Sequence, residues 1–106
     1  MKKMLLITAS VALMGVVSTA NAQGVGEKTY KTACFACHGT GAAGSPKMGD
    51  KANWKDRIAQ GNATLYEHAI KGYKGKSGVM PAKGGRTDIS DDDVKAAVDY
   101  MVSNSK

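Results

Sequence analysis

Two cysteines and a histidine stand together as Cys34-Phe35-Ala36-Cys37-His38. Residues three apart on a helix share a face, so both thiols can reach one side of a flat ligand, and the imidazole follows at once. C-x-x-C-H is the attachment signature for a c-type haem. Each thiol can join one vinyl group as a thioether, while His38 offers a ring nitrogen to the iron. Other chemistries also use paired cysteines. A zinc site wants a second Cys/His pair, and the remaining histidine, His68, stands alone. A thioredoxin-like dithiol needs a βαβ surround, and no run here reads as a parallel strand. A disulfide across three residues would close a very short loop and add little. The spacing therefore favours one covalent haem c.

His38 leaves the opposite face of the iron open, and Met48, Met80, Met101 and His68 could fill it. Met101 falls on an apolar helical face, where methionine is usually core filling. His68 sits inside an expected helix and reads more readily as a surface or half-buried histidine. Met48 follows His38 by only ten residues, a loop too short to cross easily from one face of the ring to the other. Met80 lies in Gly78-Val79-Met80-Pro81, forty-two residues beyond His38. Gly78 permits close approach and Pro81 fixes the backbone after the ligand. His/Met ligation is in regular use in c-type haem proteins, so Met80 is the expected second axial ligand.

The elements that must position these residues are short. Gly24 to Ala36 reads as a helix leading into the cysteines, with Glu27 in its first turn. Gly39 to Gly49 is a loop. Asn53 is an expected cap for a helix from Trp54 to Gln60 stopped by Gly61, and Asn62 for one from Ala63 to Lys71 stopped by Gly72. Tyr73 to Thr87 carries four glycines and Pro81 and reads as irregular. Ser90 and Asp93 form a capping box with three acids in the first turn. Val94, Ala97, Val98 and Met101 follow as the buried face. No strand signal is evident. The fold class is all-α: about four short helices, with Gly-rich loops wrapped around the haem.

The first 22 residues read as a leader. Lys2 and Lys3 precede an apolar run from Met4 to Val17, and Ala20-Asn21-Ala22 is an A-x-A cleavage site. That run is shorter than the ~20 residues a spanning helix needs. Cleavage after Ala22 would export residues 23–106 as one domain of 84 residues, and the expected location is the periplasm. Within it only ten residues are Val, Leu, Ile or Phe, well under the ~20% below which a charged chain is suspected of disorder. A large apolar macrocycle would supply the missing core, so the haem-free chain is expected to be largely unfolded. The exported chain has thirteen basic and nine acidic side chains, net +4. Lys71, Lys74, Lys76, Lys83 and Arg86 lie in a stretch without acids. Export and the lack of interleaved aromatics exclude nucleic acid and leave an acidic protein partner.

These segments resemble class I cytochromes c, and most closely the bacterial cytochrome c5 group. The resemblance runs through C-F-A-C-H-G-T-G, G-S-P-K-M-G-D, W-K-D-R-I-A-Q-G, V-M-P-A-K-G-G and S-D-D-D-V-K-A-A-V-D-Y-M. It implies a first helix crossing the last, with Gly26 and Tyr30 meeting Tyr100. It implies that the Pro46 carbonyl accepts the Nδ1 proton of His38. Trp54 and Arg57 fall where the family places groups near the haem propionates, although a tryptophan there is as readily core packing. Many relatives carry a second C-x-x-C pair after M-P-x-K-G-G, where this chain has Arg86 and Ile89, so that loop lacks a staple.

The function so implied is a one-electron carrier between respiratory partners, not an enzyme. With Cys34, Cys37, His38 and Met80 holding the haem, both axial positions are taken and no substrate binds. The basic residues around Met80 would steer acidic redox partners to the site. A peroxidase-like haem would need a distal acid or base, and none flanks Met80. A thiol–disulfide protein using Cys34 and Cys37 is the remaining alternative. The carrier is expected to be monomeric or weakly dimeric.

Overall fold

A computed structural model describes residues 19–106. Most of the expected leader, residues 1–18, lies outside the described residues. The helical stretch begins at Thr19 and runs to His38 in three parts: α1 (Thr19–Thr29), a π-helical turn (Tyr30–Cys34) and α2 (Phe35–His38). It replaces the single helix expected over Gly24 to Ala36. The Phe35 N–H donates to the Tyr30 carbonyl, five residues back. A π turn inserts one residue without breaking the helix and often marks a functional site. Here it joins the face that packs on the last helix, through Tyr30, to the Cys34–His38 segment.

Helix α3 spans Lys51–Ala59, α4 spans Asn62–Lys71 and α5 spans Asp91–Ser103. The start signals shift by a few residues from expectation. Asp50, not Asn53, caps α3: its carboxylate accepts the Asn53 N–H at 3.2 Å. Either side chain makes a good cap, and Asp50 acts because the helix begins one turn earlier. Gly61, at φ +91°, occupies the cap position of α4 and leaves Asn62 as its first residue. Only glycine adopts that backbone without strain. Ser90 caps α5 as expected, its Oγ accepting the Asp93 N–H at 3.2 Å.

The irregular stretch contains a minimal sheet, against the expectation of none. β1 (Tyr73–Lys74) pairs antiparallel with β2 (Val79–Met80), Tyr73 opposite Met80 and Lys74 opposite Val79. Gly75 N–H closes the turn on the Gly78 carbonyl at 2.9 Å. Two residues per strand are too few for alternation to show in sequence.

The core is Tyr30, Trp54, Leu65, Ala69, Val94, Ala97, Val98, Met101 and Val102. The four α5 residues expected inside are there, joined by Val102. α5 packs against both α1 and α4. The crossing with α1 is close. A Cβ on Gly26 would lie 2.9 Å from the Ala96 carbonyl carbon and 3.2 Å from Tyr100 Cβ. Tyr30 meets Tyr100 with ring centroids 5.4 Å apart. Among the described residues, no helix is long and apolar enough to cross a membrane.

Candidate functional site

A cavity of about 570 Å³ opens between α4, α5 and the loops that face them. Cofactor pockets commonly measure roughly 300–1,000 Å³. Its floor is apolar, from Leu65 and Ala69 on α4 and Val98 and Met101 on α5. His38, at the end of α2, and Met80, on β2, both line it. Residues forty-two apart in sequence thus reach one chamber.

His38 is buried, 8% exposed. Its Nδ1–H donates to the Pro46 carbonyl at 2.9 Å, as the resemblance implied. A carbonyl only accepts, so this bond assigns the proton to Nδ1 and leaves the Nε2 lone pair for a metal. Burial holds the imidazole below its ordinary pKa. The Pro46 bond opposes that shift, and the Arg57 charge adds to it. Burial thus favours the neutral ring, the form that ligates metal, while the Pro46 bond fixes its orientation.

The loop carrying Pro46 is tied at several points. Met48 N–H donates to the His38 carbonyl at 2.7 Å, closing the loop on its own helix. Trp54 Nε1–H donates to the Lys47 carbonyl at 2.9 Å. Gly49 N–H donates to Ser105 Oγ, also at 2.9 Å. Ser105 is 1% exposed and bonds across fifty-six positions of the chain. Sequence reasoning had no means of finding it, because a serine two residues past the end of α5 carries no periodic or capping signal.

Trp54 does not line the cavity, and its indole proton is spent on Lys47. It is a core residue that supports the Pro46 loop. Arg57 does line the cavity, and its guanidinium donates to the Asn53 carbonyl at 2.6 Å.

Among the four candidates for the second axial position, Met80, Met101 and His68 line the cavity and Met48 does not. Met48 packs against the core. Met101 is 3% exposed on the rigid interior face of α5. Met80 is half-buried on the short ladder.

Cys34 and Cys37 are both half-buried free thiols. They do not line the cavity, though both lie on the helical stretch that ends at His38. Burial pushes the Cys34 thiol up to about 11. Thiol–disulfide exchange needs an accessible, low-pKa thiolate, so this environment disfavours that chemistry. Among the described residues, no three His, Cys, Asp or Glu side chains gather to hold a metal ion, which also disfavours a zinc site. An apolar chamber, a buried imidazole with one nitrogen free, and a thioether fit a haem.

The basic stretch looks different in three dimensions. Lys71 pairs with Glu67 at 3.3 Å, Lys83 with Asp91 at 2.8 Å and Arg86 with Asp88 at 3.1 Å. Lys74 and Lys76, on the β1–β2 hairpin, have no ion-pair partner among the described residues. The loop without a second cysteine pair is held differently too. Lys83 Nζ also donates to the Ile89 carbonyl at 2.7 Å, so it ties the turn after Met80 to the start of α5.

Residues 21–101 match the sequence family described as cytochrome c oxidase, cbb3-type, subunit III. Cytochrome c-555 of Chlorobaculum tepidum is 56% identical over 81 residues, covering 76% of this chain and 75% of that protein. Cytochrome c5 of Azotobacter vinelandii is 41% identical over 78 residues, covering 72% of this chain and 89% of that protein. Among solved structures, a chain from an electron transfer complex of nitrite reductase with cytochrome c superposes with a TM-score of 0.68. It is 40% identical, with 77% of this chain and 95% of that chain covered. Likeness of this degree, over about three quarters of the chain, reflects common descent. The chain belongs to the class I cytochromes c, most like the c5 group, a family of small electron carriers that each hold one covalent haem c.

Proposed function

We propose that the chain is a periplasmic one-electron carrier whose haem is bonded through Cys34 and Cys37 and ligated by His38 and Met80. The observation that carries this reading is the meeting of His38 and Met80 on one apolar cavity. When bound, the haem supplies a reversible Fe(III)/Fe(II) couple, and a His/Met ligand set raises its potential. The rest is done by the protein. The Pro46 carbonyl holds the Nδ1 proton and aims Nε2 into the chamber. Leu65, Ala69, Val98 and Met101 keep water from the floor. With His38 and Met80 both ligating the iron, no position would be left for a substrate, which makes the chain an electron carrier and not an enzyme in this reading. The location rests on the leader over residues 1–22, with cleavage after Ala22.

The partners we infer are redox proteins with acidic docking faces. The solved neighbour was captured with a nitrite reductase, and a membrane or periplasmic oxidoreductase is the corresponding partner class here. The steering charge belongs to Lys74 and Lys76 on the hairpin beside Met80. Lys71, Lys83 and Arg86 are already matched by neighbouring acids. Reversing Lys74 and Lys76 to Glu should slow reduction of an acidic acceptor at low salt by tenfold or more, with little effect at high salt. Reversing Lys71 should have the smaller effect.

The axial assignment is tested by the weak far-red band of methionine-to-ferric-iron charge transfer. The ferric protein should show it, and Met80→Ala should lose it and fall in potential. An unchanged potential would refute Met80. Complete extraction of the haem by acidified acetone would refute the thioethers.

A further inference from the structure

His68 is the second histidine of the chain and has no part in the arrangement above. It lies on α4, half-buried, and lines the same cavity as Met80. Its ring is stacked on Tyr73, with centroids 4.0 Å apart and planes within 16°. Tyr73 is in turn the cross-strand partner of Met80. Directly opposed residues of an antiparallel pair project to the same face of the ladder. His68, Tyr73 and Met80 therefore form one row along one wall. Stacking on Tyr73 fixes the plane of the imidazole, and neither ring nitrogen has a hydrogen-bond partner among the described residues.

The two side chains are held with different firmness. Met80 hangs on a ladder of two residues per strand, beside Val79, which is 65% exposed. His68 belongs to a ten-residue helix anchored by buried Leu65 and Ala69. Fluctuation that lifts the hairpin would move Met80 first and leave α4 in place.

We propose that His68 is a reserve axial ligand, taking the iron position when the Met80 thioether leaves it. This rests on the His38/Met80 reading. The exchange breaks one sulfur–iron bond and forms one nitrogen–iron bond. Each donor gives the iron one lone pair, a protonated ring first releasing its proton to solvent, so the exchange needs no oxidant or reductant. Its consequence is a second state that stays six-coordinate, and so closed to small ligands, at a lower potential than the first.

The test compares four haem-loaded proteins: wild type, His68→Gln, Met80→Ala and Met80→Ala/His68→Gln. Ferric spectra and low-temperature electron paramagnetic resonance give the spin state, and carbon monoxide binding gives access in the ferrous form. Wild type and His68→Gln should share the far-red methionine band. Met80→Ala should lose the band yet remain low-spin with bis-imidazole signals. The double variant should turn high-spin and bind carbon monoxide at least tenfold faster than Met80→Ala. If Met80→Ala does not accumulate, Met80→Leu keeps the volume and serves in its place. A high-spin Met80 variant, or a low-spin one indifferent to His68→Gln, would overturn this proposal and leave the Met80 assignment standing. A wild-type protein without the methionine band would overturn both.

Discussion

Two glycines two residues apart on α1 should respond in opposite directions to the same substitution. Gly26 sits where α1 meets α5. A methyl group there would overlap the Ala96 carbonyl, with its carbon at 2.9 Å, and press on Tyr100 Cβ at 3.2 Å. Alanine is favoured over glycine in a helix by about 1 kcal/mol. Over-packing a tight contact costs about 1–3 kcal/mol, and backbone atoms of α5 cannot rotate aside, so the upper end applies. The net for Gly26→Ala is a loss of about 2 kcal/mol. With a guanidinium slope of roughly 3 kcal/mol per molar, the midpoint should fall by about 0.7 M. Gly24 has nothing within 4 Å of its added Cβ. Gly24→Ala should gain between zero and about 1 kcal/mol, nearer zero if the chain begins just before it. The assay is guanidinium unfolding of both haem-loaded variants beside wild type, followed by far-ultraviolet circular dichroism. A Gly26→Ala midpoint equal to or above wild type would refute the close crossing and the packing argument built on it.

Ser105→Ala removes the acceptor for Gly49 N–H and should cost about 1 kcal/mol. Amide hydrogen exchange at Gly49 should accelerate, and unchanged protection would show that the bond does not hold the loop. Trp54→Phe leaves the Lys47 carbonyl without its donor and should lose about 1–3 kcal/mol in thermal unfolding of the haem-loaded protein. A variant as stable as wild type would mean the indole bond is idle. Asp91 titrates below its usual 3.8 because Lys83 donates to its carboxylate and adds its positive charge. Its stabilising effect is therefore in place above about pH 3.8 and is lost as pH falls through the lower folded value. Asp91→Asn should flatten the fall of Tm across that acid range, and an identical slope in variant and wild type would rule out the pair.

Much of the site was legible because it is written in adjacent residues. Cys34, Cys37 and His38 announce their ligand by spacing alone, and Ser90 with its three acids announces α5. The Pro46 bond to His38 was legible too, but only through family resemblance. Errors arose where two local signals competed or where the element was too short. Asp50 and Asn53 are both good caps, and the helix start decides between them. A ladder of two residues per strand leaves no pattern to read. Trp54 could have served a haem propionate or the core. Its bond to the Lys47 carbonyl places it in the core, and no sequence feature distinguishes those uses.

The sequence by itself determined the ligand class, the order of the helices and the scarcity of large apolar side chains. All of these depend on residue identity and on spacing within a turn or two. Tertiary structure decided what depends on distance through space. It brought Met80 and His38 into one chamber, kept Met48 out of it and placed His68 on the wall beside Met80. It also paired Lys71, Lys83 and Arg86 with acids while leaving Lys74 and Lys76 without an ion-pair partner among the described residues, a distinction made by where Glu67, Asp91 and Asp88 fall. Charge in a sequence is a sum, but charge on a surface is what remains after neighbours have paired.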